Sequence, residues 1–176
     1  MMLAVCFAAS GFTQVVAPTE RDIKAEDLLN FGRFLRYAKA PPPRSSFDLC
    51  ILGQDELDKS IDDLAARETI SNLPIHVRHE PDVKASKSCA IVFISASEGD
   101  HIREDLAILA GLDVLTVSDS QDFLDRGGMI QFVHVEKQVR FAVNLDAVNR
   151  THLVLSSELL RVASSVKGKP ATGDLP

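Results

Sequence analysis

Residues 89–95 read Cys-Ala-Ile-Val-Phe-Ile-Ser, an unbroken apolar and largely β-branched run bounded by polar Lys87-Ser88 and by Ala96-Ser97-Glu98-Gly99-Asp100. That pattern is a strand covered on both faces, which places it at the centre of a sheet with helices above and below. Reading outward, helix and strand alternate. Asp100 is placed to cap a helix reaching Ala110, with Ile102, Leu106, Leu109 and Ala110 along one face, and Gly111 suits the left-handed turn at its end. A strand at 113–117 and a short helix at 121–124 lead to Gly127-Gly128. Two strands follow, 129–135 and 139–144, joined by polar Glu136-Lys137-Gln138, the signal of a β-hairpin. A turn of helix at 146–149 and a helix from 157 to 166 complete the domain, and 167–176 reads as a frayed tail.

Upstream of the central run, Thr19 and Asp22 form a capping pair for a helix carrying Leu28, Phe31, Leu35 and Ala38 at helical spacing. The prolines after Ala40 stop it. A strand at 47–52 ends at Gly53, a helix at 56–67 has Leu57, Ile61, Leu64 and Ala65 on one side, and 74–78 alternates as a half-exposed strand. The expected fold is therefore a single α/β domain over residues 19–166: a mixed central sheet flanked by helices, with a C-terminal β-hairpin. A chain of 176 residues suits one domain, and 45% hydrophobic with 25% charged residues is ordinary globular composition. A net charge of −6, no Trp and a single Tyr argue against a nucleic-acid partner, which needs a basic face or stacking aromatics.

Residues 1–18 are apolar and small, with no charge before Glu20, and read as an export signal lacking its basic start, so that the true start codon would lie elsewhere. Val5 before Cys6 is a poor fit to lipoprotein processing. No stretch reaches the ~20 apolar residues of a membrane-spanning helix. If Cys6 leaves with the signal, Cys50 and Cys89 remain, each inside an apolar strand. They are either buried thiols or, in an oxidising compartment, a disulfide contributing roughly 4 kcal/mol.

Catalytic signatures are missing: no phosphate-binding or dinucleotide loop, nucleophile elbow or metal spacing occurs, and no catalytic residue, metal or cofactor is expected. His76 and His79 fall on opposite faces of a strand. A phospho-receiver would need an acidic pair after its first strand, which Cys50-Ile51-Leu52-Gly53 does not supply. Ser95-Ala96-Ser97-Glu98-Gly99-Asp100 follows a central strand, where α/β sheets bind ligands, or else shapes a turn and a cap. Gly127-Gly128 fits a tight reversal and Asn144 a helix cap. Glu136, Lys137 and Arg140 on the hairpin are the expected partner-binding residues.

Val114-Leu115-Thr116-Val117-Ser118-Asp119, Phe123, Gly127-Gly128-Met129-Ile130, Arg140-Phe141-Ala142-Val143-Asn144 and Leu155-Ser156-Ser157-Glu158-Leu159-Leu160 resemble, in order and spacing, successive blocks of the YfiR-like family. The resemblance takes in Phe47-Asp48-Leu49-Cys50-Ile51-Leu52-Gly53 and the 89–95 run as well. It implies a periplasmic, non-enzymatic, homodimeric α/β domain that holds a membrane diguanylate cyclase inactive through its periplasmic region. An outer-membrane lipoprotein or a redox change would relieve that restraint. Family members place cysteines in the same two strands, which supports a Cys50 to Cys89 bridge; a second bridge of some relatives has no cysteines here. A periplasmic domain sensing a small ligand through the Ser95–Asp100 loop is the alternative reading.

Overall fold

In the computed structural model, which describes residues 17–41, 43–54 and 57–170, the chain runs in the following order. It comprises α1 (Glu20–Phe34), β1 (Leu35–Tyr37), β2 (Phe47–Leu52), α2 (Asp58–Ala65), β3 (Thr69–Ile70), β4 (Leu73–Glu80), β5 (Ile91–Ile94), α3 (Ile102–Leu109), β6 (Leu115–Ser118), β7 (Ile130–Val135), β8 (Gln138–Asn144), α4 (Leu145–Val148), β9 (Leu153–Leu155), α5 (Ser157–Val162) and β10 (Ser165–Lys167). Short 3-10 turns occupy Val83–Ser86 and Ala96–His101. The export-signal reading and Cys6 lie outside the described residues.

The strands order as β10-β8-β7-β6-β5-β2-β4-β3, with a separate β1-β9 pair. β4, β2, β5, β6 and β7 are parallel, β8 turns back antiparallel to β7, and β10 lies parallel to β8. The sheet is mixed, as the sequence predicts. All four side chains of β5 are buried. Ile91 and Phe93 join Leu49, Ile51, Leu115 and Val117 beneath α1, where Phe31 meets Phe132 and Phe141 at ring distances of 5.8 and 4.9 Å. Val92 and Ile94 face the other way, with Cys50, Leu52, Leu106, Leu109 and Phe123. Strict alternation of a continuous apolar strand thus divides it between two cores.

Cys50 of β2 and Cys89 just before β5 are joined as a disulfide, with Cα atoms 6.1 Å apart, inside the range such bridges require. Both cysteines are fully buried.

Five expected features differ from those found. The first helix stops at Phe34 rather than Ala38, because β9 supplies hydrogen bonds to the next residues: Ser156 N donates to Phe34 O and Ala38 N to His152 O. Residues 121–124 form turns, not a helix, since Asp122 takes a positive φ of 59°. The last helix ends at Val162, where Ser164 donates through both N and Oγ to Phe141 O and steers the chain into β10. Lys167 accordingly belongs to a strand and bonds Asp125 at 3.0 Å instead of starting a free tail. Asp100 does not cap α3, whose preceding residue His101 makes no capping bond; Ser95 caps the Ala96–His101 turn.

Because the bridge spans 39 residues and is sealed in the core, the Cys50→Ala/Cys89→Ala double variant is expected to lose about 4 kcal/mol of stability. The corresponding drop in Tm is about 10 °C in non-reducing calorimetry. Dithiothreitol should reduce the native bridge only at denaturant concentrations that unfold the domain; rapid reduction of the folded protein would contradict its burial.

Candidate functional site

Parallel α/β sheets bind ligands beyond the carboxyl ends of the strands, at the point where strand order reverses, here between β2 and β5. In this chain that crevice is closed by its own bonds. Gly53, at φ 82°, lets β2 turn beneath Ser97, whose Oγ accepts from Gln54 N at 2.8 Å. Ser95 Oγ donates to Gln54 O at 2.7 Å, and Ala96 N donates to Asp119 Oδ1 at 3.0 Å. The other Asp119 oxygen pairs with Lys24 Nζ at 3.0 Å; Lys24 also reaches Glu20 at 2.9 Å, and Glu20 meets His134 Nε2 at 3.2 Å. Lys24 is only 8% exposed. Burial alone would lower its pKa, but the hydrogen bonds and charges of Glu20 and Asp119 outweigh it and the pKa is raised. Glu20 is held below the usual carboxylate range by Lys24 first and His134 second.

This chain of charges ends on the β7–β8 hairpin. Its turn is formed by Glu136 and Lys137, both at positive φ, 50° and 64°. A two-residue hairpin of mirror type requires that geometry and ordinarily employs Asn and Gly; other side chains are strained there. β10 covers β8 only along Ala142–Asn144, and Ser164 covers Phe141 O. Asn144 N points inward to Met129 O, so by alternation the N–H and C=O of Val139 point outward, on the stretch that β10 leaves unpaired. Arg140 shares this stretch and bonds Gln138 at 2.7 Å. The hairpin is thus not the last strand of the sheet, as its position in the sequence implied; β10 is, but too short to seal it. Among the described residues the exposed large hydrophobics are Val135 at 43%, Val162 at 64% and Val166 at 40%, one at the hairpin tip and two flanking the Ser164 contact to β8.

The base of the hairpin is rigid. Gly127 takes φ 104°, and a side chain on Gly128 would collide with the ring of Phe123. Asn144 Oδ1 accepts from Ala147 N at 3.3 Å, capping α4, while its Nδ2 donates to Leu124 O at 3.0 Å. His76 lies 3.8 Å from Asp48. No group of three His, Cys, Asp or Glu side chains among the described residues is arranged to hold a metal ion.

Sequence reasoning missed Asp27, on the stretch of α1 nearest Arg140. Burial, then the neighbouring Glu26, raise its pKa from 3.8 to about 6 against the opposing pull of Arg140. A raised carboxylate pKa favours the fold below the unfolded pKa and loses that advantage as pH rises through the folded value. Asp27→Asn is therefore expected to stabilise the domain by about 1 kcal/mol at pH 7, after discounting for partial exposure, and to have no effect near pH 3; urea titrations at the two pH values test this.

The YfiR/HmsC-like family model matches residues 21–164, most of the chain. A solved structure of a conserved domain protein from Vibrio cholerae O1 biovar El Tor superposes with a TM-score of 0.58 at 9% identity, covering 84% of this chain. The chain spans 60% of the length of that one, and the likeness is one of fold. No curated protein matches. No described helix is long and apolar enough to cross a membrane. With the fold and the matched span in agreement, the chain belongs to the YfiR/HmsC-like family.

Proposed function

We propose that this protein binds the periplasmic sensor region of a membrane diguanylate cyclase and restrains it, lowering cyclic-di-GMP output. The observation that carries this reading is the incompletely covered edge of β8, with a Val139 backbone left unpaired among the described residues, exposed valines beside it, Glu136 and Lys137 at its turn and Arg140 along it. An uncovered strand edge is a template for a partner's strand or loop: the backbone supplies affinity and the flanking side chains supply selection. The strained turn supports the same reading. Asn and Gly would relieve Glu136 and Lys137 of an unfavourable φ, so a charged pair held there fits a role for the side chains themselves. Release of the cyclase by an outer-membrane lipoprotein, and assembly of two copies, belong to this proposal through the family and not through the geometry.

Two kinds of substitution at the turn separate binding from folding. Lys137→Gly is expected to raise stability by about 0.5 kcal/mol, relief of strain exceeding the entropy of the added glycine. The same change should weaken capture of the cyclase from detergent-solubilised envelopes. Charge reversal at Glu136, Lys137 and Arg140 together should reduce the captured cyclase at least tenfold with an unchanged circular dichroism spectrum. Undiminished capture by the triple variant would remove the hairpin from the interface, and absence of any cyclase from the wild-type capture would remove the client.

A further inference from the structure

A cavity of about 530 Å³ lies at the opposite end of the molecule from the hairpin, where the last turn of α1 meets β1 and the amino ends of β2 and β4. That volume falls in the range of small-molecule sites. Its walls are mainly apolar, with Leu35, Tyr37, Phe47 and Leu73 among them, and three arginines enter it: Arg33, Arg36 and Arg44. Two of these are committed elsewhere. Arg33 bonds Asn30 Oδ1 at 2.7 Å and pairs with Glu68, while Arg36 Nη1 donates to the carbonyls of Arg33 and Leu35. Arg44 is different: its Nη1 is buried with no hydrogen-bond partner, and none of its donors is bonded among the described residues.

A buried guanidinium nitrogen without an acceptor is costly, and such a group is ordinarily paired or bonded. No Asp or Glu lines this cavity to serve it. The planar fork of arginine matches a carboxylate through two parallel bonds, and the apolar walls match a hydrocarbon body. We propose that the cavity is a binding site for a small organic carboxylate, whose carboxyl group pairs with Arg44 and whose apolar part lies against Tyr37 and Phe47. Nothing in this proposal depends on the hairpin or on the cyclase.

The chain has one tyrosine and no tryptophan, so intrinsic fluorescence reports from Tyr37, inside the cavity wall. Phenylacetate serves as the probe, with its uncharged isostere phenylacetamide and inorganic phosphate as controls. Phenylacetate is expected to change the tyrosine emission saturably and to raise Tm, while phenylacetamide and phosphate bind at least tenfold more weakly. Arg44→Met should weaken phenylacetate at least tenfold while leaving Tm of the free protein equal or higher, since an unpaired donor is removed; a purely structural arginine would lower it. Arg44→Lys should retain part of the affinity. The proposal is overturned if phenylacetate leaves emission and Tm unchanged, if phenylacetamide or phosphate binds as tightly, or if Arg44→Met binds phenylacetate like the wild type.

Discussion

Burial of β5 on both faces is the constraint from which the rest of the molecule follows. A strand with no solvent face has to be flanked by parallel partners and covered by helices on each side. Its alternate residues then belong to two cores that cannot slip past one another without exposing every side chain at once. The disulfide joins the segment entering β5 to β2, the neighbour across which strand order reverses. It therefore fastens the two halves of the sheet where their connections diverge, and where many α/β proteins leave a crevice for a ligand.

Here the crevice is occupied by the chain itself. Lys24 comes down from α1 onto Asp119, the 95–98 loop folds back on Gln54, and the polar groups that would greet a substrate are bonded to one another. A buried lysine between two carboxylates is weak support for stability by itself, because desolvation offsets much of the attraction. Its stronger effect is on geometry: it fixes α1 over the sheet end and, through Glu20 and His134, ties α1 to the hairpin. The end of the sheet that usually does chemistry has become a joint between a helix and the hairpin.

Much of this was legible in the sequence because burial writes itself into periodicity. The two-faced strand, the capping box at Thr19, the hairpin and the turn at Gly111 (φ 76°) each have a local signature, and each is present. What stayed hidden depends on partners distant in the chain. β1 and β9 are three-residue strands that exist only because they meet each other, and residues 165–167 are extended only because β8 offers an open side. The helix expected to run through Leu35 to Ala38, and the one expected to reach Val166, gave the wrong answer for that reason. The cavity was invisible too, since Arg44 and Tyr37 come together only once α1 has been turned into β1.

The departures from stability fall at more than one place on the molecule. The strained Glu136-Lys137 turn, the desolvated Asp27 and the short β10 lie on the side of the hairpin, whereas the Ser71-Asn72 turn, at positive φ of 52° and 64°, and the unpaired Arg44 nitrogen lie toward the far end of α1, and Ser86 Oγ and Asp105 Oδ2, partnerless among the described residues, lie elsewhere. Local strain persists only where surrounding structure over-determines it, and here the sealed, cross-linked sheet provides that support. α1 touches both regions: Glu20 reaches His134 of the hairpin, and Arg33 near the other end lines the cavity. A rigid helix bearing on both sites is a physical connection between them, but coupling further requires that α1 have two arrangements. The buried Lys24 in its second turn argues that one arrangement dominates in the free protein.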